Sequence, residues 1–205
     1  IDERGQSSVP VVLSRFSTSD RAANIPEFVN LAPDAIKKIS IDFLDDNNYY
    51  RAACEFVRAD DPEGALPLLR ESLELNPDHA GSNLELATIL AAQGKTDEAR
   101  SHLDRIFKLD KRSVPPDFLS GAHCRLASIL YGEKKLPEAA EHFCQALRVD
   151  PDHFESRSSL GVMLMEAGKL DESLVHLAEA ARSGPKDPSV YFNYGSVLHR
   201  LLPLA

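Results

Sequence analysis

Seven histidines and three cysteines are the side chains of this 205-residue chain best suited to holding a metal or supplying a nucleophile. His102, His142 and His176 fall at like positions of three amphipathic segments, the pattern a ligand ladder would have. Equivalent positions on packed helices lie about 10 Å apart, whereas zinc holds its nitrogen ligands at about 2.0–2.1 Å. A shared ion is excluded on that ground, and the three read as partly exposed helix residues. His142 and Cys144 are no better a pair, because side chains two residues apart do not face one side of a helix. His79 and His153 fall in connecting turns, where a polar residue is expected. Cys54, Cys124 and Cys144 form no CxxC motif, cannot all pair with one another, and read as small buried hydrophobes.

Enzymatic signatures are missing as well. The chain holds no Gly-x-Ser-x-Gly elbow, no Gly-x-x-x-x-Gly-Lys phosphate loop, no Gly-x-Gly-x-x-Gly and no His-Glu-x-x-His. The acid pairs Asp45-Asp46 and Asp60-Asp61 sit at helix boundaries, where capping and dipole interactions account for them. The expectation is a chain that is not an enzyme and carries no metal or cofactor. A net charge of −9 argues against a nucleic-acid partner, and no run approaches the ~18 apolar residues of a membrane span.

What remains is recognition. Arg51, Arg58 and Arg125 stand against the acidic background and could meet a carboxylate or acidic peptide through charge-assisted hydrogen bonds. The alternative is that some of them simply pair with neighbouring acids. Tyr50, Tyr131 and Met165 could supply apolar anchors beside them.

The elements that must position these residues follow from a repeat. Asn-Pro-Asp-His at Asn76–His79 returns as Asp-Pro-Asp-His at Asp150–His153, and four copies of a roughly 34-residue unit align on these turns. Their first helices carry Ala52-Ala53-x-x-Phe56, Leu86-Ala87-x-x-Leu90, Leu126-Ala127-x-x-Leu130 and Leu160-Gly161-x-x-Leu164. The second helices carry Ala65…Leu69…Ser72, Ala99…Leu103…Ile106, Ala139…Phe143…Ala146 and Ser173…Leu177…Ala180, and the closing turns Pro77, Lys111, Pro151 and Pro185. A fifth first helix follows with Tyr194-Gly195-x-x-Leu198. Apolar residues fall at helical spacing and no sustained alternation marks a strand. Gln93–Asp97 and Ala167–Asp171 each read as a helix end with a left-handed Gly, followed by an acidic N-cap.

These residues resemble the tetratricopeptide repeat, whose pattern is Trp-x-x-Leu-Gly-x-x-Tyr, then Ala-x-x-x-Phe, then Pro. The likeness runs from about Asp46 to Leu202, with Tyr49, Asn83, His123 and Arg157 at the Trp position. The departures are Lys111 for a turn proline and six residues, Val114–Leu119, that break the spacing and are expected to lengthen an inter-repeat turn. The implied fold is all-α, a right-handed α-solenoid of about four helix-turn-helix repeats plus a final helix. The resemblance further implies a groove lined by first helices: Asn47, Tyr50, Arg51, Cys54, Arg58, Leu84, Thr88, Cys124, Arg125, Ser128, Tyr131, Ser158, Val162, Met165, Phe192 and His199. The family's clamp for the C-terminal carboxylate of heat-shock chaperones uses Lys and Asn where this chain has Tyr50, Cys54, Glu85, Gly121 and Arg125. Only Arg125 is compatible, so a chaperone-tail ligand is disfavoured.

The chain divides into a serine-rich non-repeat arm, 1–28, a segment 29–45 and the repeat array, 46–205. Within 29–45, a helix from Pro33-Asp34 to about Leu44 reads either as a cap or as the second helix of a degenerate repeat. A chain that opens on Ile1 is expected to be a processed or fragment chain, and three cysteines without an Asn-x-Ser/Thr sequon lean towards a reducing, cytoplasmic setting. The last helix, about Ser189 to Leu202, is apolar nearly all round. It is expected to meet further repeats, to self-associate through 189–205, or to remain exposed. The functional expectation is a non-catalytic module or scaffold binding a protein or peptide, with an accessory domain of a larger enzyme and a self-assembling array as alternatives.

Overall fold

The computed structural model describes residues 45–184 and 187–202, so the arm at 1–28 and the segment at 29–44 lie outside the described residues. Among the described residues there are nine α-helices and no strand: α1 Asp46–Arg58, α2 Pro62–Leu75, α3 Ala80–Ala92, α4 Thr96–Lys108, α5 Pro116–Gly132, α6 Leu136–Val149, α7 Phe154–Glu166, α8 Leu170–Ser183 and α9 Pro188–Leu201. Odd-numbered helices are the first helices of the repeats, and even-numbered ones the second. No helix of the described residues is long and apolar enough to cross a membrane.

One turn geometry, used four times, makes each helix pair. Asp60, Gly94, Lys134 and Gly168 end the first helices with φ of 59°, 77°, 64° and 76°. The next backbone N–H then bonds back five residues, Asp61 to Phe56, Lys95 to Leu90, Lys135 to Leu130 and Lys169 to Leu164, each at 2.9 Å. This left-handed C-terminus satisfies helix-end carbonyls and sends the chain back along its own helix. Glycine takes that φ freely, whereas Asp60 and Lys134 adopt it against a steric cost.

The helix starts divide into capped and uncapped. Asp45 accepts from the Asn48 N–H at 2.8 Å and Asp61 from the Gly64 N–H at 2.9 Å. The expected acidic caps of α4 and α8 are absent. Their N-cap residues are Lys95 and Lys169, which make no side-chain cap bond. The residue that closes the left-handed turn is also the one that opens the next helix, which puts Asp97 and Asp171 inside the first turn. There they act on the helix dipole.

The described chain falls into two compact units, one up to Ser82 and one from Asn83 onward. In the first, α1 packs on α2 through Ala53, Ala65 and Leu69, all fully buried. Polar contacts tie the start of α1 to the end of α2: the Ser72 hydroxyl donates to the Asp46 carbonyl at 2.8 Å, and the Asn76 amide to the Asp46 carboxylate at 2.6 Å.

In the second unit each helix packs on its sequence neighbours from α4 to α9, and α7 also meets α9. Cys124, Ala127, Leu130, Ala139, Phe143, Leu160 and Met163 form one buried cluster across α5, α6 and α7. Removing each large side chain here from water contributes about 1.5–3 kcal/mol. Small residues admit the close approach: a Cβ on Gly161 would stand 2.7 Å from Leu177 Cγ. The Val114–Leu119 insertion departs from expectation. Only Val114 and Pro115 lie in the turn, while Pro116–Leu119 form the first residues of α5, a helix of 17 residues. Val114 and Leu119 are both buried, so the insertion adds core as well as loop. Proline at the first helical position explains why the extra residues join the helix.

Candidate functional site

In the first unit, the Tyr50 ring packs on His79 with centroids 5.0 Å apart, and the His79 ring bonds Asn47 Oδ1 at 3.2 Å. Cys54 is half-buried, while Arg51 and Arg58 are exposed. Arg58 is ion-paired with Glu55 on its own helix, which makes it an ordinary surface pair.

In the second unit, successive first helices meet through the residues expected to line the groove. Leu84 of α3 lies against Gly121 of α5, where an added Cβ would come within 2.8 Å of the leucine. The Tyr131 hydroxyl of α5 donates to the Glu166 carboxylate of α7. Arg200 of α9 donates to the Met165 carbonyl of α7 at 3.1 Å. Thr88 and Ser128 hold the same register on α3 and α5, and each hydroxyl donates to the carbonyl four residues back, Leu84 at 2.9 Å and Cys124 at 3.0 Å. Arg125 is half-buried, and its charge opposes the rise that burial gives the Glu85 carboxyl. Among the described residues no carboxylate makes an ion pair with Arg125 within 4.0 Å.

Ser158, Val162 and Met165 are half-buried on α7, and Phe192 and His199 are exposed on α9. Cys124 is a correction. It is 1% exposed and belongs to the core between α5, α6 and α7 rather than to the binding face. That burial agrees with the reading of the cysteines as small buried hydrophobes.

The histidines have partners that the sequence reading missed. His102 Nδ1 lies 2.9 Å from Asn83 Oδ1, and His142 Nδ1 lies 3.1 Å from His123 Nδ1. In both pairs, the second-helix histidine meets the Trp-position residue of its own repeat, 19 positions earlier. Phe107 flanks the His123 and His142 rings at 4.7 and 6.3 Å. Burial, followed by the charges of His142 and Lys111, pushes the His123 imidazole down to about 4. Burial also lowers His176, helped by the Arg157 charge from the corresponding position of the fourth repeat. All three ladder histidines are half-buried, and His102 and His142 are partnered within their own repeats. Their constant offset from Asn83, His123 and Arg157 was the available signal.

His79 and His153 have work of their own in the turns. His79 Nδ1 accepts the Ser82 N–H at 3.0 Å, and His153 Nδ1 accepts the Ser156 N–H at 3.3 Å. An imidazole nitrogen thus takes the N-cap role usually filled by Ser or Asp. Among the described residues no three His, Cys, Asp or Glu side chains converge on a point.

Two family models, each described as a tetratricopeptide repeat, match residues 56–115 and 124–188. No curated protein sequence matches the chain. Among solved structures it is similar to pilF of Pseudomonas aeruginosa, with 18% identity and a TM-score of 0.63 over 76% of this chain and 68% of that one. A chain of the APC/C hetero-tetramer Cut9–Hcn1 superposes with a TM-score of 0.68 at 13% identity, covering 81% of this chain and 32% of the other. YrrB, described as a TPR protein with an unusual peptide-binding site, gives a TM-score of 0.52 at 18% identity over 76% of this chain and 77% of its own. At these identities the structural likeness speaks for the fold alone, an all-α helical repeat solenoid. With the model matches and the four-fold turn geometry, it shows that this chain belongs to the tetratricopeptide-repeat family.

Proposed function

We propose that this protein-interaction repeat acts without catalysis, and that the first-helix face of its second unit takes a peptide segment bearing a carboxylate. The observation that carries this is Arg125: a half-buried guanidinium with no ion-pair partner among the described residues, on the same helix as Ser128 and Tyr131, with Leu84 and Thr88 on α3 and Met165 on α7. A cation already part-desolvated has given up hydration, so an incoming carboxylate gains more there than at an exposed arginine. Leu84, Tyr131 and Met165 supply apolar contact, and the two back-bonded hydroxyls can each accept a further hydrogen bond. Arg51, with Tyr50 and Cys54, gives the first unit a cationic surface of its own. Arg58, neutralised by Glu55, is left out of the recognition set.

An affinity capture from native extract tests this, comparing the native chain with an Arg51→Glu/Arg125→Glu double variant. The partner held by the native chain should bind the variant at least tenfold more weakly, while circular dichroism shows both folded. Equal retention of that partner would remove the binding-face reading.

A further inference from the structure

The third repeat places two imidazole nitrogens side by side. His123 of α5 and His142 of α6 bring their Nδ1 atoms to 3.1 Å, with ring centroids 5.3 Å apart. The rings therefore meet edge to edge, with the two nitrogens between them. For two nitrogens each about 2.0–2.1 Å from one ion, a right to tetrahedral angle sets them about 2.9–3.4 Å apart. The pair already stands at that bite. The like-placed pairs of the neighbouring repeats lack it. In the second repeat Asn83 sets an amide oxygen 2.9 Å from His102, a hard donor beside a single imidazole. In the fourth, the position holds Arg157, whose cation opposes positive charge at His176. A ladder of His102, His142 and His176 would have to bridge separate repeats, whereas His123 and His142 share one.

Packing positions both rings before any ion arrives. Their neighbours in sequence, Cys124 and Phe143, belong to one buried cluster between α5 and α6. Little ordering is left to oppose binding. Phe107 of α4 flanks the two rings at 4.7 and 6.3 Å and gives the pair an apolar wall. Both histidines stay part-exposed, which leaves water to fill the remaining coordination positions. Burial lowers both imidazoles, so each is uncharged at neutral pH, the form that ligates.

We propose that His123 and His142 form a two-histidine site for a late first-row divalent cation such as zinc, with water completing its shell. Without the ion, one Nδ1–H donates to the other Nδ1. With it, both Nδ1 atoms ligate and each ring carries its proton on Nε2. Two neighbouring charges set the strength of the site in opposite directions. The Lys111 charge acts on His123 and opposes a cation, while the Glu141 charge acts on His142 and favours one.

The probe is the zinc ion alone, titrated into the full chain while the ring signals of all seven histidines are followed by nuclear magnetic resonance. His123 and His142 should shift together and saturate, with the nitrogen spectrum showing Nδ1 as ligand and Nε2 protonated. His102 and His176 should stay where they are. His123→Asn, which copies the Asn83–His102 pair, should weaken binding more than tenfold and remove the zinc-dependent rise in unfolding midpoint. At the exposed charges, Lys111→Met should tighten binding severalfold and Glu141→Gln should loosen it. The proposal is overturned if His123→Asn binds zinc as the native chain does, or if the two rings keep their metal-free pattern at millimolar zinc. Saturation of Cys54 or Cys144 ahead of the histidine pair would also overturn it, giving the ion to a thiolate.

Discussion

The helices α7 and α9 carry one signature, Leu160-Gly161-x-x-Leu164 and Tyr194-Gly195-x-x-Leu198, and meet opposite fates. Gly161 is sealed under Leu177 and Ser173, whereas Gly195 lies open on the surface. The signature therefore specifies a helix with a notch, not a filled interior. Seven residues after the notch, Gly168 has a φ of 76°, whereas Leu202 in the same register after Gly195 has a φ of −77°. In a repeat array an apolar first-helix face becomes core only where a neighbouring helix packs on it.

The strongest test of that contrast removes the apolar knob. Leu177→Ala should lower stability by about 2–5 kcal/mol, the cost of a buried cavity, in urea unfolding. Leu202→Ala, on the uncovered face, should stay within about 0.5 kcal/mol. Equal losses would show that α9 is covered as α7 is. Next comes the notch itself. Gly161→Leu forces a side chain into Leu177 and should cost about 1–3 kcal/mol or more. Gly195→Leu should cost nothing and gain up to about 1 kcal/mol, because leucine favours the helix over glycine.

The smallest effect concerns the Trp-position residue, which contacts a second-helix histidine in the second and third repeats, as Asn83–His102 and His123–His142, and is the exposed Tyr191 in α9. His123 is held at about 4, below the usual imidazole value near 6.5. The unfolded chain therefore binds the proton first as pH falls. The stabilisation is complete above about pH 6.5 and is lost as pH drops towards 4. Replacing His123 by Asn, which copies the Asn83–His102 pair, should shrink the fall in unfolding midpoint between pH 7 and pH 5. An unchanged pH dependence would remove the histidine pair as its source.

Legibility in the sequence followed the range of the interaction. The Gly94 and Gly168 turns could be read directly, because glycine is the residue that enters the left-handed region without cost. The equivalent turns at Asp60 and Lys134 could not, since the backbone there adopts a conformation its residue disfavours and only the helix packing enforces it. Arg125, Tyr131 and Met165 were placed on the first helices by register alone. Their contacts needed the fold, because Tyr131–Glu166 and Arg200–Met165 join residues of different repeats. Cys124 shows the limit of register: its residue type pointed to the core and its repeat position to the groove, and packing put it in the core.

The sequence by itself determined the helices, their pairing in repeats and the position of each notch, because 3.6-residue periodicity and turn chemistry are local properties. Only the tertiary structure decided that Arg58 is neutralised while Arg125 has no such partner among the described residues, and that His142 meets His123. It alone showed Gly161 filled and Gly195 open among the described residues. Those outcomes depend on which side chain arrives from another helix and how close its backbone comes, quantities fixed by packing distance rather than by any one segment.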